Sequence, residues 1–114
     1  MSIKIYHNPR WGKSRESVKI LEKSKKSFTV IEYLKDGFTS DELIDLLKKL
    51  DLSPVNIIRT NDNDYKNHYR EGMNNSELIE LIVEFPKIFE RPIIVKGHKA
   101  VIGRPPENIY QILD

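Results

Sequence analysis

The sequence predicts an α/β fold built on a four-stranded mixed sheet, with the element order β-α-β, helical insert, β-β-α. Three observations lead to this prediction. A strand, a helix and a strand follow one another in the first 34 residues, the middle carries only helical periodicity, and two short apolar segments flank a glycine turn near the C-terminus. The 114 residues suit a single domain over residues 1–114, with the helical insert at about 38–88.

The β-α-β unit is predicted from short-range patterns. Residues 3–7 alternate apolar and polar side chains, as expected for a short strand. A helix is expected to begin near Lys13 or Ser14, because an apolar stripe at helical spacing follows. Residues 28–34 are rich in β-branched and aromatic side chains and therefore predict the second strand.

The middle of the chain predicts a series of helices. Thr39 and Glu42 have the spacing of a capping box, so a helix is expected over about residues 40–50. Three further helices are expected: one through residues 55–58 after Ser53 and Pro54, one around 64–66 capped by Asn61, Asp62 or Asn63, and one from about residue 75 that stops before Pro86.

The last part of the chain predicts a hairpin and a helix. The apolar segments 93–95 and 100–102 are separated by a short turn, in which Gly97 can supply a positive φ angle. The prolines at 105 and 106 then introduce a final helix, with its buried side formed by Ile109, Ile112 and Leu113. The complete order of elements is that of a thioredoxin-like domain.

The composition bears on location. No apolar run approaches the roughly 18 residues that a membrane span needs, so we expect no membrane association. The chain enters a strand pattern at Ile3 without a secretory apolar segment, so we expect a cytoplasmic protein. We also expect a monomer.

The net charge of +2 is unevenly distributed. Residues 1–26 and 91–114 together carry +8, whereas residues 27–90 carry −6. If the two ends meet, they form a basic surface suited to a small anion, an acidic peptide or a nucleic-acid backbone. The alternative is that the lysines only solvate the outer face of the first helix, which is the commoner role of a charge run. We expect no direct nucleic-acid binding.

Four short motifs carry a resemblance to a known family. They are His7-Asn8-Pro9 with Lys13-Ser14-Arg15, then Ile58-Arg59-Thr60, Glu90-Arg91-Pro92-Ile93 and Gly103-Arg104-Pro105. In order and spacing, over essentially the whole chain, these motifs resemble the arsenate reductase (ArsC) family, which is related to Spx-like proteins. The resemblance implies a thioredoxin-like fold and a cysteine thiolate that attacks arsenate, with glutathione and glutaredoxin completing the cycle.

The nucleophile position of the family falls on Trp11. The chain contains no cysteine, and an indole has no nucleophilic lone pair, so we expect no catalytic nucleophile and no thiol-based reductase activity. No bound cofactor is expected, and glutathione with glutaredoxin is implied by the resemblance alone. We expect Trp11 to fill or cap the pocket rather than to bind a partner. The resemblance places these residues in the active-site loop: His7, Asn8, Pro9, Gly12, Ser14 and Arg15.

The sequence offers no evident replacement for the missing thiol. Ser14 and Thr60 carry hydroxyl groups, but no His or Lys base is paired with either of them by sequence. His7, His68 and His98 are scattered, and their spacing matches no metal-ligand pattern, so no metal site is expected. We expect His7 to be packed or hydrogen-bonded, and the other two histidines to face solvent.

Three arginines are the candidate oxyanion ligands. The resemblance implies that Arg59, Arg91 and Arg104 hold the oxyanion, and a guanidinium fork binds such oxygens bidentately at every working pH. Surface cations in loops are the alternative for each arginine taken alone. The resemblance also identifies Pro92 as the cis proline of thioredoxin-like folds, with an ordinary trans proline at a strand start as the alternative.

Several interpretations of function stay open at this point. The chain is either a redox-inactive ArsC relative that keeps an oxyanion pocket for arsenate, phosphate or sulfate, or an Spx-like regulator. Such a regulator binds a protein partner such as RNA polymerase, with Trp11 and the basic ends as its surface. A third interpretation is that Trp11 is an accidental or engineered replacement of Cys in an ordinary reductase, since the two codons differ by one base.

Overall fold

The computed structural model describes residues 2–89 and 92–113, and the chain divides into two compact units. The first unit consists of Met1–Asp36 with Arg91–Asp114, and the second of Gly37–Glu90. The proposal of one domain over the whole chain stays a prediction. Within the described ranges, no helix combines the length and the apolar character needed to cross a membrane.

The described elements follow the predicted order. The strands are β1 Ile3–Tyr6, β2 Phe28–Ile31, β3 Ile93–Lys96 and β4 Lys99–Ile102. The helices are α1 Gly12–Lys23, α2 Tyr33–Asp36, α3 Ser40–Leu50, α4 Asn63–His68, α5 Asn75–Glu84 and α6 Tyr110–Leu113. Short 3₁₀ turns occupy Pro54–Ile57, Pro86–Ile88 and Pro106–Ile109.

The first unit is built on a mixed sheet with the strand order β2-β1-β3-β4, which confirms the predicted fold class. Strand β2 runs parallel to β1, whereas β3 is antiparallel to both β1 and β4. The predicted hairpin between β3 and β4 is present, and Gly97 in its turn has a φ angle of 61°. A side chain is strained at this angle, which explains the glycine.

The core of the first unit joins the sheet to α1 and α6. Its buried members are Ile3, Ile5, Leu21, Ile94, Ile109, Ile112 and Leu113. Each such side chain contributes about 1.5–3 kcal/mol when fully removed from water. The predicted buried side of the last helix is therefore confirmed. Helix α1 joins this core through Leu21 in its second half.

The second strand is shorter than predicted. We expected it to span residues 28–34, but β2 ends at Ile31 and the helix α2 begins at Tyr33. The backbone N–H groups of Lys35 and Asp36 donate to the carbonyl of Glu32, which bends the chain into a helical turn. This turn leaves Tyr33 fully buried. Burial of an aromatic ring therefore overrides the strand propensity of the segment.

The second unit consists of helices and 3₁₀ turns among its described residues. Helix α3 has the predicted capping box of Thr39 and Glu42. Of the three residues predicted as possible caps of α4, Asp62 is the cap, and its side chain accepts a hydrogen bond from the N–H of Asp64. The element expected at residues 55–58 is a 3₁₀ turn, Pro54–Ile57, preceded by Ser53, whose N–H donates to Asn56 Oδ1.

Candidate functional site

The loop between β1 and α1, residues 7–11 (the β1–α1 loop), is organised by a histidine–serine pair. His7 follows the strand and continues its pairing, since its N–H donates to the carbonyl of Ile31 at 2.8 Å. His7 Nδ1 lies 2.5 Å from Ser14 Oγ, which also accepts the N–H of Asn8 at 3.0 Å. His7 and Asn8 are at most 9% exposed, and Ser14 is fully buried.

This pair corrects one expectation from the sequence, which gave Ser14 no base. The two residues are seven positions apart, and only the turn from strand into helix brings their side chains together. The arrangement nevertheless does not favour a serine nucleophile, because the hydroxyl is inaccessible and already holds the N–H of Asn8. Its chemical effect is to fix the path of the loop. The expected hydrogen-bonding role of His7 is confirmed.

The protonation of His7 follows from its surroundings. Burial lowers the pKa of His7 from its ordinary value of 6.5, nearby Arg15 lowers it further, and Glu32 opposes both effects. The imidazole is therefore neutral at pH 7. In this neutral ring Nδ1 either accepts the hydroxyl hydrogen of Ser14 or donates its own proton to Ser14 Oγ, depending on the tautomer.

Two further side chains tie the β1–α1 loop together. Asn8 Oδ1 accepts the N–H of Arg10 at 3.1 Å, and the carbonyl of Asn8 accepts the N–H of Trp11. Arg15 Nη1 donates to the carbonyl of Pro9 at 3.1 Å. The roles of Asn8 and Arg15 as loop clamps were not predicted. An Asn before a turn is a known signal for such side-chain-to-backbone bonds, and it could have indicated the first of them.

The start of α1 presents backbone N–H groups at the end of this loop. Helix α1 begins at Gly12, earlier than the predicted Lys13 or Ser14, and Trp11 is its N-cap residue. The first intrahelical bond runs from Arg15 N–H to the carbonyl of Trp11, so three amides precede it. An indole only donates hydrogen bonds and cannot accept from these amides, and no capping bond from Trp11 is formed.

The charges around these amides are positive. The first turn of α1 carries Lys13 and Arg15 and no acidic side chain, and Arg10 precedes it in the loop. Pro9, Arg10, Gly12 and Lys13 are exposed, whereas Trp11 is half-buried. Amides at a helix start carry partial positive charge, and the neighbouring cations add to it. The arrangement can therefore receive an anion through backbone N–H groups.

The segment that carries Arg104 packs against α1 in the same unit. Gly103 N–H donates to the carbonyl of Pro92 at 2.8 Å. A Cβ atom placed on Gly103 would lie 2.8 Å from Ser17 Oγ and 2.9 Å from Pro92 Cγ, which explains why this position needs glycine. Arg104 itself is exposed, one residue beyond this contact with the helix.

The other two candidate arginines are placed differently. Arg59 belongs to the second unit, where its N–H donates to the carbonyl of Ile88 and its Nη1 lies 3.7 Å from Asp62 Oδ2. Arg91 lies outside the described residues. The shared oxyanion site of Arg59, Arg91 and Arg104 therefore stays a prediction.

The proline and histidine expectations have mixed outcomes. The peptide bond before Pro92 involves Arg91 and so lies outside the described part of the chain. A cis bond is present between Arg104 and Pro105. His68 and His98 are exposed as expected, and the ring of His68 stacks on Phe85 at 4.1 Å between centroids. In the described ranges, no three His, Asp or Glu side chains group as metal ligands.

Comparisons with known proteins agree with this picture. The model of the ArsC family matches residues 6–112. The chain is 42% identical to the arsenate reductase of Haemophilus influenzae, over 99% of this chain and 100% of that protein. It is 38% identical to an arsenate reductase of Neisseria meningitidis serogroup B, over 97% of each. The solved structure of an arsenate reductase from Vibrio cholerae matches with a TM-score of 0.92 at 37% identity, covering 98% of both chains. The predicted resemblance and the predicted fold are both confirmed.

Proposed function

Because the chain belongs to the ArsC family, we propose that it binds a tetrahedral oxyanion at the start of α1 and does not reduce it through a thiol of its own. Reduction of arsenate to arsenite takes two electrons, and in a thiol mechanism these come from sulfur. The chain has no cysteine, and the family's nucleophile position, as assigned by sequence resemblance, holds Trp11. We therefore propose that this chain keeps the anion-binding step of the family chemistry and lacks the thiol-based reduction step.

The observation that carries this proposal is the start of α1. The amides of Gly12, Lys13 and Ser14 precede the first intrahelical hydrogen bond, and the clamped β1–α1 loop holds them in position. Three N–H donors that point along one helix axis suit the oxygens of arsenate, phosphate or sulfate. We propose that Arg104, which belongs to the same unit as α1, supplies further charge, while a role for Arg59 and Arg91 rests on the family resemblance alone.

The first experiment uses Trp11, the single tryptophan of the chain, as a reporter at the proposed site. Its fluorescence is titrated with arsenate, phosphate, sulfate and arsenite. We expect a saturable change with the three tetrahedral dianions and a weaker change with arsenite, which is uncharged at neutral pH. Substitution Arg104→Gln is expected to weaken binding about tenfold, since a charge-assisted hydrogen bond is worth about 1.5–3 kcal/mol.

A matched control separates this effect from a general loss of positive charge. Arg70→Gln removes one arginine from the second unit, where Arg70 pairs with Glu77 at 3.7 Å. This variant is expected to bind the anions like the original chain. Isothermal titration calorimetry with phosphate covers the case in which binding leaves the fluorescence unchanged. Absence of heat and of a fluorescence change in the original chain would contradict the proposal.

The second experiment tests the redox half. The unmodified protein is expected to show no arsenate reduction with glutathione and glutaredoxin, whereas Trp11→Cys is expected to gain activity. A cysteine at this position would meet the amides of the first helical turn, which favour the thiolate form. The variant Trp11→Ser, which opens the same space without a thiol, serves as the control. Arsenate reduction by the unmodified protein would contradict the proposal that the chain lacks the reduction step.

A second candidate function is binding of a protein partner, as in Spx-like regulators that bind RNA polymerase. One observation favours it: Pro9 and Arg10 are exposed beside half-buried Trp11, and aromatic and arginine side chains are frequent anchors in protein interfaces. Under this hypothesis, immobilised protein recovers an RNA polymerase subunit, and Arg10→Ala with Trp11→Ala loses it. Recovery of no polymerase subunit would remove this candidate.

A further inference from the structure

Strand β2 forms one edge of the sheet, and in the described part of the chain its outer side is open to a further strand. Among the strands that the structure describes, in the order β2-β1-β3-β4, it pairs with β1 alone. The carbonyl of Ile31 accepts the N–H of His7, so the backbone of Ile31 faces β1. Because alternate residues of a strand face the same edge, Phe28 and Val30 direct their N–H and C=O groups away from β1. Such edge groups are a template for pairing with another chain.

One apolar side chain on the core face of this edge stays exposed. Val30 is paired with Ile5 of β1, on the face of the sheet that also carries Phe28. Ile5 is fully buried in the core of the first unit, and Phe28 packs against that core. Val30 is nevertheless 41% exposed. A strand added at the edge would extend the core face and withdraw Val30 from water, which is favourable in proportion to the apolar area buried.

The sequence of β2 is complementary to itself in the antiparallel direction. A two-fold axis at Thr29 places Phe28 of one copy opposite Val30 of a second copy, and these are the residues with outward backbone groups. The two Thr29 side chains then face each other, and threonine pairs across strands are favourable. The same register places Lys26 opposite Glu32 of the second copy, twice by symmetry, and opposite charges at such positions are favourable as well.

The neighbouring registers lack this agreement. An axis at Val30 would place Phe28 opposite the charged Glu32. An axis at Phe28 would place Val30 opposite the charged Lys26. Each shift therefore removes both the charge pairs and the pairing of Phe28 with Val30. Side-chain patterns of this kind set the register of a sheet, so the axis at Thr29 is the favoured one.

We propose that two copies of this chain associate through antiparallel pairing of their β2 strands, which makes the sheet continuous across the dimer. A single short strand pair buries little surface, so the association is expected to be weak and to need a high protein concentration. The sequence led us to expect a monomer, and under this proposal the monomer is the state at low concentration. The anion site at α1 plays no part in this association.

The two charged residues also have contacts within one copy. Lys26 donates to the carbonyl of Leu113, and Glu32 lies 3.7 Å from Lys35. The pair of Glu32 and Lys35 is exposed, so it contributes little and can be exchanged for a contact across the dimer. An ammonium has three hydrogens, so Lys26 can keep its bond to Leu113 while it faces a carboxylate. The competing explanation is a role within one copy alone, which predicts that substitutions change stability and not association.

The first test is sedimentation velocity of the full-length protein from about 20 µM to about 1 mM, the range in which a weak dimer becomes populated. We expect the weight-average sedimentation coefficient to rise with concentration. Val30→Lys places a charge at the centre of the strand pair and is expected to weaken association at least about tenfold. Val55→Lys is the matched control, because Val55 is 49% exposed in the second unit, and it is expected to associate like the original chain.

The second test exchanges the charges across the proposed pair. Lys26→Glu brings carboxylates together and Glu32→Lys brings ammonium groups together, so each variant alone is expected to associate about tenfold more weakly. In an equimolar mixture each of these positions meets the opposite charge, so the mixture is expected to associate like the original chain. A role of Lys26 within one copy cannot produce this recovery. Lys66→Glu and Glu71→Lys change the same charges at exposed positions of the second unit, and each is expected to associate like the original chain.

Amide hydrogen exchange locates the contact. The N–H groups of Phe28 and Val30 are expected to gain protection as the concentration rises, whereas the N–H of Thr29, which faces β1, is expected to change little. Protection gained instead at β4, the other edge of the sheet, would overturn the proposal. So would a constant sedimentation coefficient, or a mixture of Lys26→Glu and Glu32→Lys that associates no better than either variant alone. If Lys26→Glu folds poorly, Val30→Lys and its control remain a complete test.

Discussion

Three helices of this protein begin in two different ways. Helices α3 and α5 begin with complete capping boxes, in which Thr39 and Asn74 accept the N–H groups of Glu42 and Glu77. In each box the glutamate carboxylate accepts an N–H in return. Helix α1 has Trp11 as its N-cap residue, and an indole cannot accept a hydrogen bond. The starts of α3 and α5 have capped amides and acidic side chains, whereas at the start of α1 the N-cap side chain binds no amide and the first turn carries Lys13 and Arg15.

The start of α1 lacks two stabilising features that the starts of α3 and α5 have. A good N-cap contributes about 1 kcal/mol, and an acid in the first turn adds a few tenths. Helix α1 has neither, although it has 12 residues and is longer than α3 and α5. Its loop is instead held by bonds that involve His7, Asn8 and Arg15, none of which occupies the amides of its first turn. This arrangement supports an anion site at α1 and not at the other two helices.

The largest effect is expected from a variant that gives α1 a hydrogen-bonding N-cap side chain, as α3 and α5 have. Trp11→Asp places a carboxylate where it accepts an N–H of the first turn and repels an incoming anion. We expect anion binding to weaken about a hundredfold, which corresponds to about 2.7 kcal/mol. Because the variant has lost its fluorophore, the measurement is calorimetry with phosphate and arsenate.

Two companion variants show which part of the aspartate acts. Trp11→Asn provides a cap without the charge and is expected to weaken binding less than Trp11→Asp. Trp11→Ala leaves the amides available and is expected to bind at least as well as the original chain. If Trp11→Asp binds phosphate normally, the α1 amides are not the anion site.

A second prediction concerns the pair that holds the β1–α1 loop. Ser14→Ala removes the acceptor of the Asn8 N–H and the partner of His7 Nδ1, and both groups are buried. We expect the free energy of unfolding to fall by about 2 kcal/mol, because a buried polar group left without a hydrogen-bond partner usually costs about 1–3 kcal/mol. Urea unfolding measures the change.

The control for this prediction is another serine of the same helix. The hydroxyl of Ser24, at the C-cap of α1, donates to the carbonyl of Leu21 and is not part of the β1–α1 loop. Ser24→Ala is expected to cost clearly less than Ser14→Ala. Equal costs for the two variants would mean that the histidine–serine pair does not organise the loop.

The same contrast explains how much the sequence could predict. A capping box lies within four consecutive residues, so the boundaries of α3 were predictable from local spacing. The hairpin turn at Gly97 was predictable for the same reason. The family motif His7-Asn8-Pro9 lies in the β1–α1 loop, whereas Gly12, Ser14 and Arg15 lie in α1, and the assignment of these residues to an active site stays a prediction. Local chemistry therefore sufficed for most elements.

What the sequence did not predict depends on contacts between distant positions. The pairing of His7 with Ser14 requires the strand-to-helix turn, and the end of β2 at Ile31 follows from the burial of Tyr33. The clamp from Arg15 to the Pro9 carbonyl also forms only when the loop closes. Charge counts along the chain indicated basic ends, but they could not show that Lys26 and Lys96 both donate to the carbonyl of Leu113.

A third prediction concerns the capping boxes of α3 and α5. Thr39→Ala removes one bond of the α3 box, and we expect it to lower the free energy of unfolding by about 1 kcal/mol. The same size is expected for Asn74→Ala at α5. Neither variant is expected to change phosphate binding, because neither helix start is the proposed site. A loss of phosphate affinity in either variant would contradict the assignment of binding to α1.

The smallest expected effect is a pH dependence that arises from His7 in the β1–α1 loop. Burial lowers the pKa of His7 below its ordinary value of 6.5, so in the window between the two values the unfolded chain binds a proton that the folded chain does not. Stability is then complete above this window and falls as pH decreases through it. Glu32→Gln removes the charge that opposes this shift, and we expect it to lower the pKa of His7 further and to extend the window to lower pH.

Urea unfolding between about pH 8 and pH 5 measures this slope. His7→Gln is expected to reduce it, whereas His98→Gln in the exposed hairpin turn is expected to leave it unchanged. Amide hydrogen exchange over the same pH range measures the effect at each helix separately. Protection at the start of α1 should fall with pH before protection at α3 and α5, because their capping boxes contain no histidine. A uniform loss of protection across all three helices would mean that protonation of His7 unfolds the chain as a whole. It would contradict the expectation that protonation acts first at the start of α1.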